Sequence, residues 1–365
     1  MKMSLPTQPI TIFTPSFADE DNTNAQNLTV KEIVARLPSE LFRVIMICRR
    51  NPDPRIAARE NTELVSWTDH GNTARLLRRF LFSKPDIYFF PRFGPFDRAF
   101  FDLRKHLPIR AALVSYVVMM MNEATGNGLA GRSIVEADRV CANSNYVAET
   151  VRQKFGVQPI TIHDGADRRF FFPRQRSNSP NELVVLYAGS FQPRKRVELV
   201  IEQAVRWPNA QFRLAGYGET EGNCRALCRQ YNCRNVSFLG HLSPAQLGEE
   251  MRQVDVFLFP SALEGHPQVL IQATACGLPS IAMDLYRPDC VVNGKTGFLV
   301  QSPEELGDRL DLLLQNPALR QSMSRAAAEH SHNFDWDRIV EQWMDVFCEV
   351  VAMRQKPSSR RMQLA

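Results

Sequence analysis

The chain alternates short apolar runs with longer segments whose apolar residues recur at helical spacing. Short continuous apolar runs are typical of strands buried in a parallel sheet. Five of them predict the strands of a first sheet: Ile10 to Phe17, Phe42 to Arg49, Glu63 to Trp67, Asp86 to Phe90 and Ala111 to Val118. Parts of the helices between them are predicted at Val30 to Leu37 and Arg132 to Glu136. This alternation predicts a succession of βαβ units.

A second series of strands begins at Leu183, which predicts a second domain. The residues just before it, from Pro173 to Glu182, are polar and bounded by prolines, as linkers often are. A length of 365 residues also suits two domains better than one core. We therefore predict a first domain, a linker, a second domain, a final helix and a disordered basic tail, over residues 1–173, 174–182, 183–335, 336–353 and 354–365.

The stretch EGHPQVLIQATACGLP, from Glu264 to Pro279, joins a predicted buried strand to a predicted helix. The strand is the apolar run VDVFLFPS ahead of it, and apolar residues at helical spacing from Val269 on indicate the helix. Gly265 to Gln268 would then form the mouth of the helix. A helix mouth exposes unpaired amides and the positive end of the helix dipole, and both favour an anion such as a diphosphate.

Segments along most of the chain resemble, in the same order, the retaining glycosyltransferases of group 1, also called family 4. Glu264 and Gln272, eight positions apart, resemble the E-x7-E signature of that family. The other matching segments are Ala137 to Val151, His163 to Pro173, Val184 to Ala204, Phe212 to Glu219, Val236 to Ser243 and Val291 to Val300. The resemblance extends from Ala137 to about Val346 and is weak over the first 136 residues.

This resemblance implies a fold and an activity. The expected fold is α/β, namely the GT-B fold, in which two Rossmann-like domains with doubly wound parallel sheets face each other across a cleft. The final helix, 336–353, would cross back to the first domain. The expected activity is transfer of a hexose from a nucleoside-diphosphate sugar to an acceptor, with retention of the anomeric configuration and without a metal. No cofactor is expected, because the nucleotide sugar is a co-substrate.

The resemblance also implies roles for residues of the second domain. Glu264 and Lys195 would be catalytic, since the carboxylate would meet the donor sugar and the lysine would stabilise the departing diphosphate. Pro267 has no N–H, so the amides at the helix mouth would come from around Gln268 and Val269. The expected donor-binding residues are Ser190, Arg194, Gly216, Leu242, Gly265, His266, Gln268, Val269 and Gln272.

Structural explanations remain open for several of these residues. Gly216 would let the backbone approach the nucleotide, but glycines after strands are common. His266 would touch the sugar or make a structural hydrogen bond. In the first domain, Asn24 and Gln26 would contact the acceptor, although a polar loop with a helix cap explains both equally well.

The chain departs from the family pattern at three places. Gln272 stands where the family has a second glutamate that binds the donor ribose; glutamine keeps one acceptor oxygen and loses the charge. Ser190 stands where the family often has an arginine, although Arg194 and Arg196 flank Lys195. A histidine that often follows the fifth strand of the family is absent, so the acceptor chemistry does not carry over.

These departures favour an alternative function, a catalytically weak or inert GT-B scaffold that binds a nucleotide or glycan. A dinucleotide-dependent oxidoreductase is a third hypothesis, because such enzymes are also built on doubly wound sheets. The sequence lacks a G-x-G-x-x-G motif after the first strand of either domain, which counts against that third hypothesis.

Charge is divided unevenly along the chain. Residues 1–180 carry 25 Lys and Arg against 18 Asp and Glu, a net charge of +7, whereas residues 181–353 carry 15 against 21, a net charge of −6. A basic first half suits an acidic or membrane-associated acceptor. Leu76 to Phe82 and Phe93 to Leu107 mix arginine with aromatic residues. That mixture is typical of a helix at a membrane surface and also of a helix packed on the core.

The expected partners are a nucleotide-sugar donor and a glycan, lipid-linked or other acceptor, and no nucleic acid. No run reaches the roughly 18 apolar residues that a membrane-spanning helix needs, and the start of the chain lacks the pattern of a signal peptide. We therefore expect a cytoplasmic location, with peripheral contact at the inner face of the membrane as an open alternative. Cys224, Cys228 and Cys233 lack a fourth ligand at close spacing, so no metal site is expected.

Overall fold

The computed structural model describes residues 8–20, 25–67, 73–91, 93–121, 127–173 and 183–355. The chain divides into two compact units. Unit 1 combines the chain up to Ile162 with the chain from Asp337 on, and unit 2 runs from His163 to Trp336. Each unit is described by its own sheet.

Unit 1 contains a sheet of seven parallel strands in the order β3-β2-β1-β4-β5-β6-β7. The strands are β1 Ile10–Phe17, β2 Phe42–Cys48, β3 Thr62–Ser66, β4 Ile87–Phe89, β5 Ala112–Val117, β6 Arg139–Ala142 and β7 Ile160–Thr161. The helices between them are α1 Ala25–Arg36, α2 Pro54–Ala57, α3 Thr73–Ser83, α4 Pro95–Leu103, α5 Gly128–Val135 and α6 Asn145–Phe155. The five predicted strands of the first sheet are confirmed to within two residues at each end.

Aromatic side chains form the core on one face of this sheet, beneath α3 and α4. Phe80 of α3 meets Phe13 of β1 edge to face, with ring centroids 5.1 Å apart. Phe100 of α4 packs on Tyr88 of β4 at 4.2 Å. Buried aromatic pairs of this kind add roughly 0.5–1.5 kcal/mol each beyond the area that they bury. The two helices are therefore held firmly on the sheet.

Unit 2 contains a sheet of six parallel strands in the order β10-β9-β8-β11-β12-β13. The strands are β8 Leu183–Ala188, β9 Ala210–Ala215, β10 Val236–Gly240, β11 Val256–Phe259, β12 Ser280–Met283 and β13 Gly297–Val300. The helices are α7 Glu198–Arg206, α8 Glu221–Gln230, α9 Pro244–Gln253, α10 Gln268–Ala275, α11 Pro303–Gln315 and α12 Pro317–His330. Short 3-10 turns lie at Pro193–Lys195, Asp284–Tyr286 and Ser331–Phe334.

The last helix, α13 Trp336–Gln355, belongs to unit 1 from Asp337 on. Its buried Trp343 packs against Phe89 and Tyr116, with ring centroids 5.0 and 4.9 Å apart. The helix continues two residues past the predicted end at 353, and Arg354 forms an ion pair with Asp138 at 2.6 Å. The rest of the predicted tail, from residue 356 on, lies outside the described residues.

The boundary between the units lies at Ile162, before the predicted domain end at 173. Residues 163–173 are bound to unit 2, because Ala166 N donates to Phe334 O at 3.0 Å and Arg252 Nη1 donates to Phe170 O at 2.6 Å. The predicted linker, 174–182, lies outside the described residues.

Each sheet reverses its strand order beside its first strand, between β1 and β4 in unit 1 and between β8 and β11 in unit 2. All strands are parallel, so their carboxyl ends share one edge of the sheet. The loops that leave two neighbouring strands at such a point diverge and open a crevice, which is where doubly wound sheets bind ligands. The fold therefore indicates one candidate site in each unit.

The described part of the chain contains no helix that is both long and apolar enough to cross a membrane. The eight cysteines are free thiols, with Cys224 buried and Cys228 and Cys233 half-buried. No three histidine, cysteine or acidic side chains are grouped for metal binding among the residues that the structure describes.

Candidate active site

Two loops meet at the reversal point of unit 2, one after β8 and one after β11. They are joined by one backbone hydrogen bond, from Ala262 N to Arg194 O at 2.7 Å, and by one side-chain hydrogen bond, from Arg196 Nε to Pro260 O at 2.7 Å. Since β8 and β11 are adjacent strands, the sheet itself brings these loops together. The loop after β8 carries the predicted lysine, and the loop after β11 carries the predicted glutamate.

The carboxylate of Glu264 is held by three donors that converge on one oxygen. Lys195 Nζ lies 2.5 Å from Oε1, Arg194 Nη1 2.7 Å and Ser261 Oγ 2.6 Å. The second oxygen, Oε2, accepts no hydrogen bond from any described residue. Glu264 is therefore fixed through one oxygen, and the other remains able to accept a hydrogen bond from a ligand.

Lys195 is a buried cation, with only 7% of its surface exposed. Its ammonium group lies 4.9 Å from the centre of the Phe259 ring. Burial lowers the pKa of Lys195, and the neighbouring Glu264 opposes this by favouring the charged form. A cation in such a place interacts more strongly with an added anion than a solvated lysine would, because little water screens it.

Helix α10 begins directly after this turn with Pro267 as its N-cap, and no side chain caps it. Leu270 N donates to Pro267 O, whereas Val269 N finds no acceptor among the described residues. Pro267 itself has no N–H to donate. The mouth of α10 therefore offers an amide and the positive end of a helix dipole close to the Lys195–Glu264 pair.

Two predicted site residues of this segment carry buried polar atoms without partners in the described part of the chain. They are Gln272 Oε1 and both ring nitrogens of His266, a residue that is 5% exposed. A buried polar group without a hydrogen bond costs about 1–3 kcal/mol, so such atoms are expected to bind water or a ligand. Gln272 keeps its acceptor oxygen in the region where the family signature has a carboxylate.

His266 belongs to a cluster of rings behind the turn. Its ring centroid lies 5.3 Å from that of His163 and 5.6 Å from that of Phe334. His163 Nε2 lies 3.1 Å from Asp289 Oδ2. Burial, with a smaller effect of His163, lowers the pKa of His266 to about 3, so its ring is neutral at physiological pH.

Gly216 and the nearby Gly218 have a structural explanation. A Cβ atom on Gly216 would lie 1.9 Å from Gly189 O, and one on Gly218 would lie 2.5 Å from Phe191 O. The loop after β9 therefore packs on the loop after β8 at a distance that only glycine permits. This packing accounts for both glycines without a bound nucleotide.

The remaining predicted residues that the structure describes lie in four different places. Ser190 follows β8, where its carbonyl accepts a hydrogen bond from Tyr187 Oη at 3.1 Å, and Leu242 follows β10 and is half-buried. Gly265 is buried between Glu264 and His266. In unit 1, Gln26 lies in the first turn of α1, just after β1, and Asn24 lies outside the described residues.

Two further side chains, which the sequence pattern does not single out, shape this site. Ser261 donates to Glu264 from three positions earlier, and nothing in its sequence context distinguishes it from an ordinary loop serine. Tyr286 is fully buried, and its hydroxyl finds no partner within the described residues. Burial, and next the charge of Glu264, raise the pKa of Tyr286 well above its ordinary value, so the hydroxyl stays protonated near the carboxylate.

Comparisons with known proteins find relatives of this chain. Residues 169–330 match the family model of the group 1 glycosyl transferases. The chain is 28% identical over 239 residues to a D-inositol 3-phosphate glycosyltransferase of Rhodococcus erythropolis, covering 59% of this chain and 54% of that protein. The corresponding Mycobacterium tuberculosis protein is 30% identical over 227 residues, covering 56% of this chain and 47% of that protein. The match thus spans about half the length of these curated relatives.

Solved structures resemble almost the whole chain. A sucrose-phosphate synthase from Thermosynechococcus elongatus superposes with a TM-score of 0.73 at 19% identity, covering 95% of this chain and 100% of that one. The Anabaena protein HepE, in complex with UDP-glucose, superposes with a TM-score of 0.75 at 16% identity, covering 93% and 100%. At these identities the likeness concerns the fold. Residues 169–330 therefore resemble the group 1 glycosyl transferases, within a chain that has the GT-B fold.

Proposed function

We propose that the protein transfers a hexose from a nucleoside-diphosphate sugar to an acceptor, with retention of the anomeric configuration and without a metal. The observation that carries this proposal is the contact of Lys195 and Arg194 with Glu264 at the reversal point of unit 2. The match of residues 169–330 to the group 1 glycosyl transferases supports it.

The reaction requires stabilisation of a leaving diphosphate. As the bond between the anomeric carbon and the phosphate oxygen breaks, negative charge accumulates on that oxygen. Lys195 and Arg194 supply two cations at this point, and the mouth of α10 supplies the Val269 amide and a helix dipole. Because these groups belong to the protein and are already in place, the proposed mechanism needs no divalent ion.

Glu264 has a different part in the proposal. Its Oε1 holds the two cations in position, while Oε2 accepts a hydrogen bond from a hydroxyl of the donor sugar. Retention requires that the acceptor oxygen bonds to the anomeric carbon on the face that the diphosphate leaves. The acceptor proton then passes to the departing phosphate oxygen, so no separate protein base is needed.

The nucleotide is proposed from the structural neighbours. HepE has been crystallised with UDP and with UDP-glucose. The fold likeness makes uridine-diphosphate hexoses the first donors to test. The acceptor is a glycan, a lipid-linked saccharide or another hydroxyl compound.

The second candidate function is a scaffold that binds the nucleotide sugar with little turnover. The observation that favours it is Gln272, whose amide replaces a carboxylate of the family signature and whose buried Oε1 has no partner in the described part of the chain. An amide oxygen accepts a weaker hydrogen bond than a carboxylate, so the donor ribose would be bound less firmly.

The test is release of nucleoside diphosphate from a panel of UDP- and GDP-hexoses by the wild-type protein, Glu264→Gln and Glu250→Gln. Glu250 is a matched control, because it is a half-buried glutamate of unit 2 that also forms an ion pair, in its case with Arg213. We expect Glu264→Gln to lower the rate by about 100-fold and Glu250→Gln to leave it unchanged. NMR of the glycoside product reports the anomeric configuration.

Each outcome distinguishes the candidates. Tight binding of a nucleotide sugar without release of nucleotide would favour the scaffold. Equal activity of wild type and Glu264→Gln would reject the assigned role of the carboxylate. An inverted product would reject retention while leaving glycosyl transfer intact.

A further inference from the structure

The outer faces of α3 and α4 combine exposed aromatic residues with cations. On α3, Leu76 and Phe80 are buried in the core, whereas Leu81 is 41% and Phe82 68% exposed. Two residues before α4, Phe93 is 45% exposed. We call this region the α3–α4 surface and define it by Arg75, Arg78, Leu81, Phe82, Phe93 and Arg98.

The two helices lie side by side on one face of the sheet. Phe80 of α3 contacts Phe96 and Phe100 of α4, with ring centroids 6.1 and 5.4 Å apart. The buried faces are thus joined through the core, and the exposed faces are neighbours on the surface of unit 1. Residues of both helices can therefore meet the same partner.

Two arginines and an aromatic residue share one stripe of α3. Arg75, Arg78 and Phe82 are spaced three and four residues apart, which places them on the same side of a helix. The guanidinium of Arg78 lies 5.4 Å from the centre of the Phe82 ring. A helix stripe that exposes an aromatic residue differs from an ordinary solvated helix face, on which aromatic residues usually point into the core.

The basic excess of the first half of the chain is concentrated here. Residues 73–110 carry nine Lys and Arg against three Asp and Glu, or +6 of the +7 found over residues 1–180. Arg75, Arg78 and Arg98 form no ion pair with any described residue, whereas the adjacent Arg79 is paired with Glu63. The charges of the α3–α4 surface are therefore available to an external anion.

We propose that the α3–α4 surface docks the protein on an anionic lipid bilayer. Aromatic and leucine side chains insert at the boundary between headgroups and acyl chains, and arginines bind the lipid phosphates beside them. A protein interface would instead favour a contiguous apolar centre surrounded by a polar rim. Here the exposed apolar side chains are few and an arginine lies against one of them, as at a bilayer surface. The inference concerns only unit 1 and does not depend on the proposed reaction.

The test is flotation of the full-length chain with vesicles of phosphatidylcholine alone or mixed with phosphatidylglycerol. We expect binding to the mixed vesicles and release at high salt, since salt screens the phosphate contacts. Arg75→Gln with Arg78→Gln should weaken binding about 30-fold, which corresponds to roughly 1 kcal/mol for each arginine. Leu81→Ser with Phe82→Ser should weaken it about tenfold by removing the inserted apolar groups.

Matched controls, called the α8 controls, come from the end of α8 in unit 2 and from the residues that follow it. Arg229→Gln with Arg234→Gln makes the same change of charge at exposed positions, and Tyr231→Ser removes an aromatic residue that is 47% exposed. Neither control should change vesicle binding. Circular dichroism and a thermal midpoint close to wild type establish that each variant is folded.

Three results would overturn the proposal. The wild type could ignore anionic vesicles, the two unit 1 variants could bind like wild type, or the α8 controls could weaken binding equally. Binding to an acidic protein or to RNA without binding to vesicles would also reject it. Nucleotide release without vesicles should be equal in wild type and variants, so failure of docking is separable from failure of the proposed reaction.

Discussion

Units 1 and 2 reverse their strand order in the same way, yet their charged side chains are used differently at the two reversal points. After β1 of unit 1, the buried Asp19 accepts hydrogen bonds from Arg49 N at 2.9 Å and Arg50 N at 2.7 Å. The buried Lys31 donates to Asp19 O at 2.8 Å. After β8 and β11 of unit 2, Lys195 instead pairs with Glu264, as described above.

The two reversal points differ in the polar atoms that are left to bind a ligand. In unit 1 the carboxylate and the ammonium group bind the backbone, so they stabilise the loop that carries them. In unit 2 the charges bind one another, and one carboxylate oxygen and one helix amide have no partner among the described residues. The same doubly wound topology can thus form a structural loop or a reactive site, because loop side chains decide function.

The largest expected effect is a loss of transfer rate on replacement of Lys195, whereas replacement of Lys31 should lower stability. Lys195→Met keeps an apolar stem over Phe259 and removes the charge that would face the diphosphate in the proposed reaction. It should lower transfer by about 100- to 1,000-fold with little loss of stability. Lys31→Met should instead destabilise the protein by about 1–3 kcal/mol, because it leaves buried carbonyl oxygens without a donor. Initial rates and urea unfolding measure both effects.

The contrast between the lysines would fail in two ways. If Lys195→Met unfolds the protein while transfer per folded molecule is unchanged, its charge is structural. If Lys31→Met abolishes transfer at full stability, unit 1 also contributes chemistry at its reversal point. Arg229→Met is the control for loss of an exposed charge in unit 2.

The second expected effect is an acid sensitivity that belongs to unit 2. Because the pKa of His266 is lowered in the folded protein from 6.5 to about 3, the unfolded chain binds a proton more readily. Stability should therefore be lost as the pH falls below about 6.5, by roughly 1 kcal/mol per unit from this group. His266→Phe should remove that part of the slope, whereas His241→Phe, at an exposed position, should not.

Urea unfolding at pH 7 and pH 5 gives the measurement for all three proteins. An equal slope in wild type and His266→Phe would mean that the ring titrates normally. The buried environment assigned to it would then be incorrect.

The third prediction concerns the acceptor oxygen at position 272. Gln272→Glu should tighten binding of a nucleoside diphosphate by about 1 kcal/mol, roughly fivefold, because a carboxylate accepts stronger hydrogen bonds from ribose hydroxyls. Isothermal titration measures the affinity, and the nucleotide-release assay measures turnover. Turnover that appears only in the variant would support the scaffold function for the wild type. An unchanged affinity of the variant for the nucleoside diphosphate would mean that the ribose does not contact position 272.

The smallest expected effect is that of metal removal. If protein cations stabilise the diphosphate, EDTA should change the rate of transfer by less than about twofold. The same assay after addition of Mg²⁺ or Mn²⁺ completes the test. A loss of activity that either ion restores would contradict the assignment of this role to Lys195 and Arg194.

The strand and the helix on either side of Glu264 were predicted well, because their sequence signals are local. The apolar run before Glu264 and the helical spacing after Val269 correspond to β11 and α10. The backbone conformation of each element depends mainly on residues within a few positions, and its periodicity is visible in the chain. The unit boundary was placed less well, because residues 163–173 owe their place to hydrogen bonds with distant residues of unit 2.

The contacts of the site could not be predicted in the same way. Lys195 and Glu264 are separated by 69 positions, and they meet because β11 pairs with β8. The role of Gly216 could not be predicted from the sequence either. A glycine is needed there because the folded loops bring this residue close to Gly189. The role of Ser261 likewise depends on the direction in which the turn points its hydroxyl.

By itself, the sequence determined the α/β class, the two series of strands, the strand and the helix on either side of Glu264, and the concentration of positive charge in the first half. These follow from local periodicity and composition. Only the tertiary structure decided which charges bind each other, which bind the backbone and which face outward. Strand order decides those distances, and it arises from packing between segments far apart in the chain. Charged residues of the same types therefore bind the backbone beside β1 and bind one another beside β8.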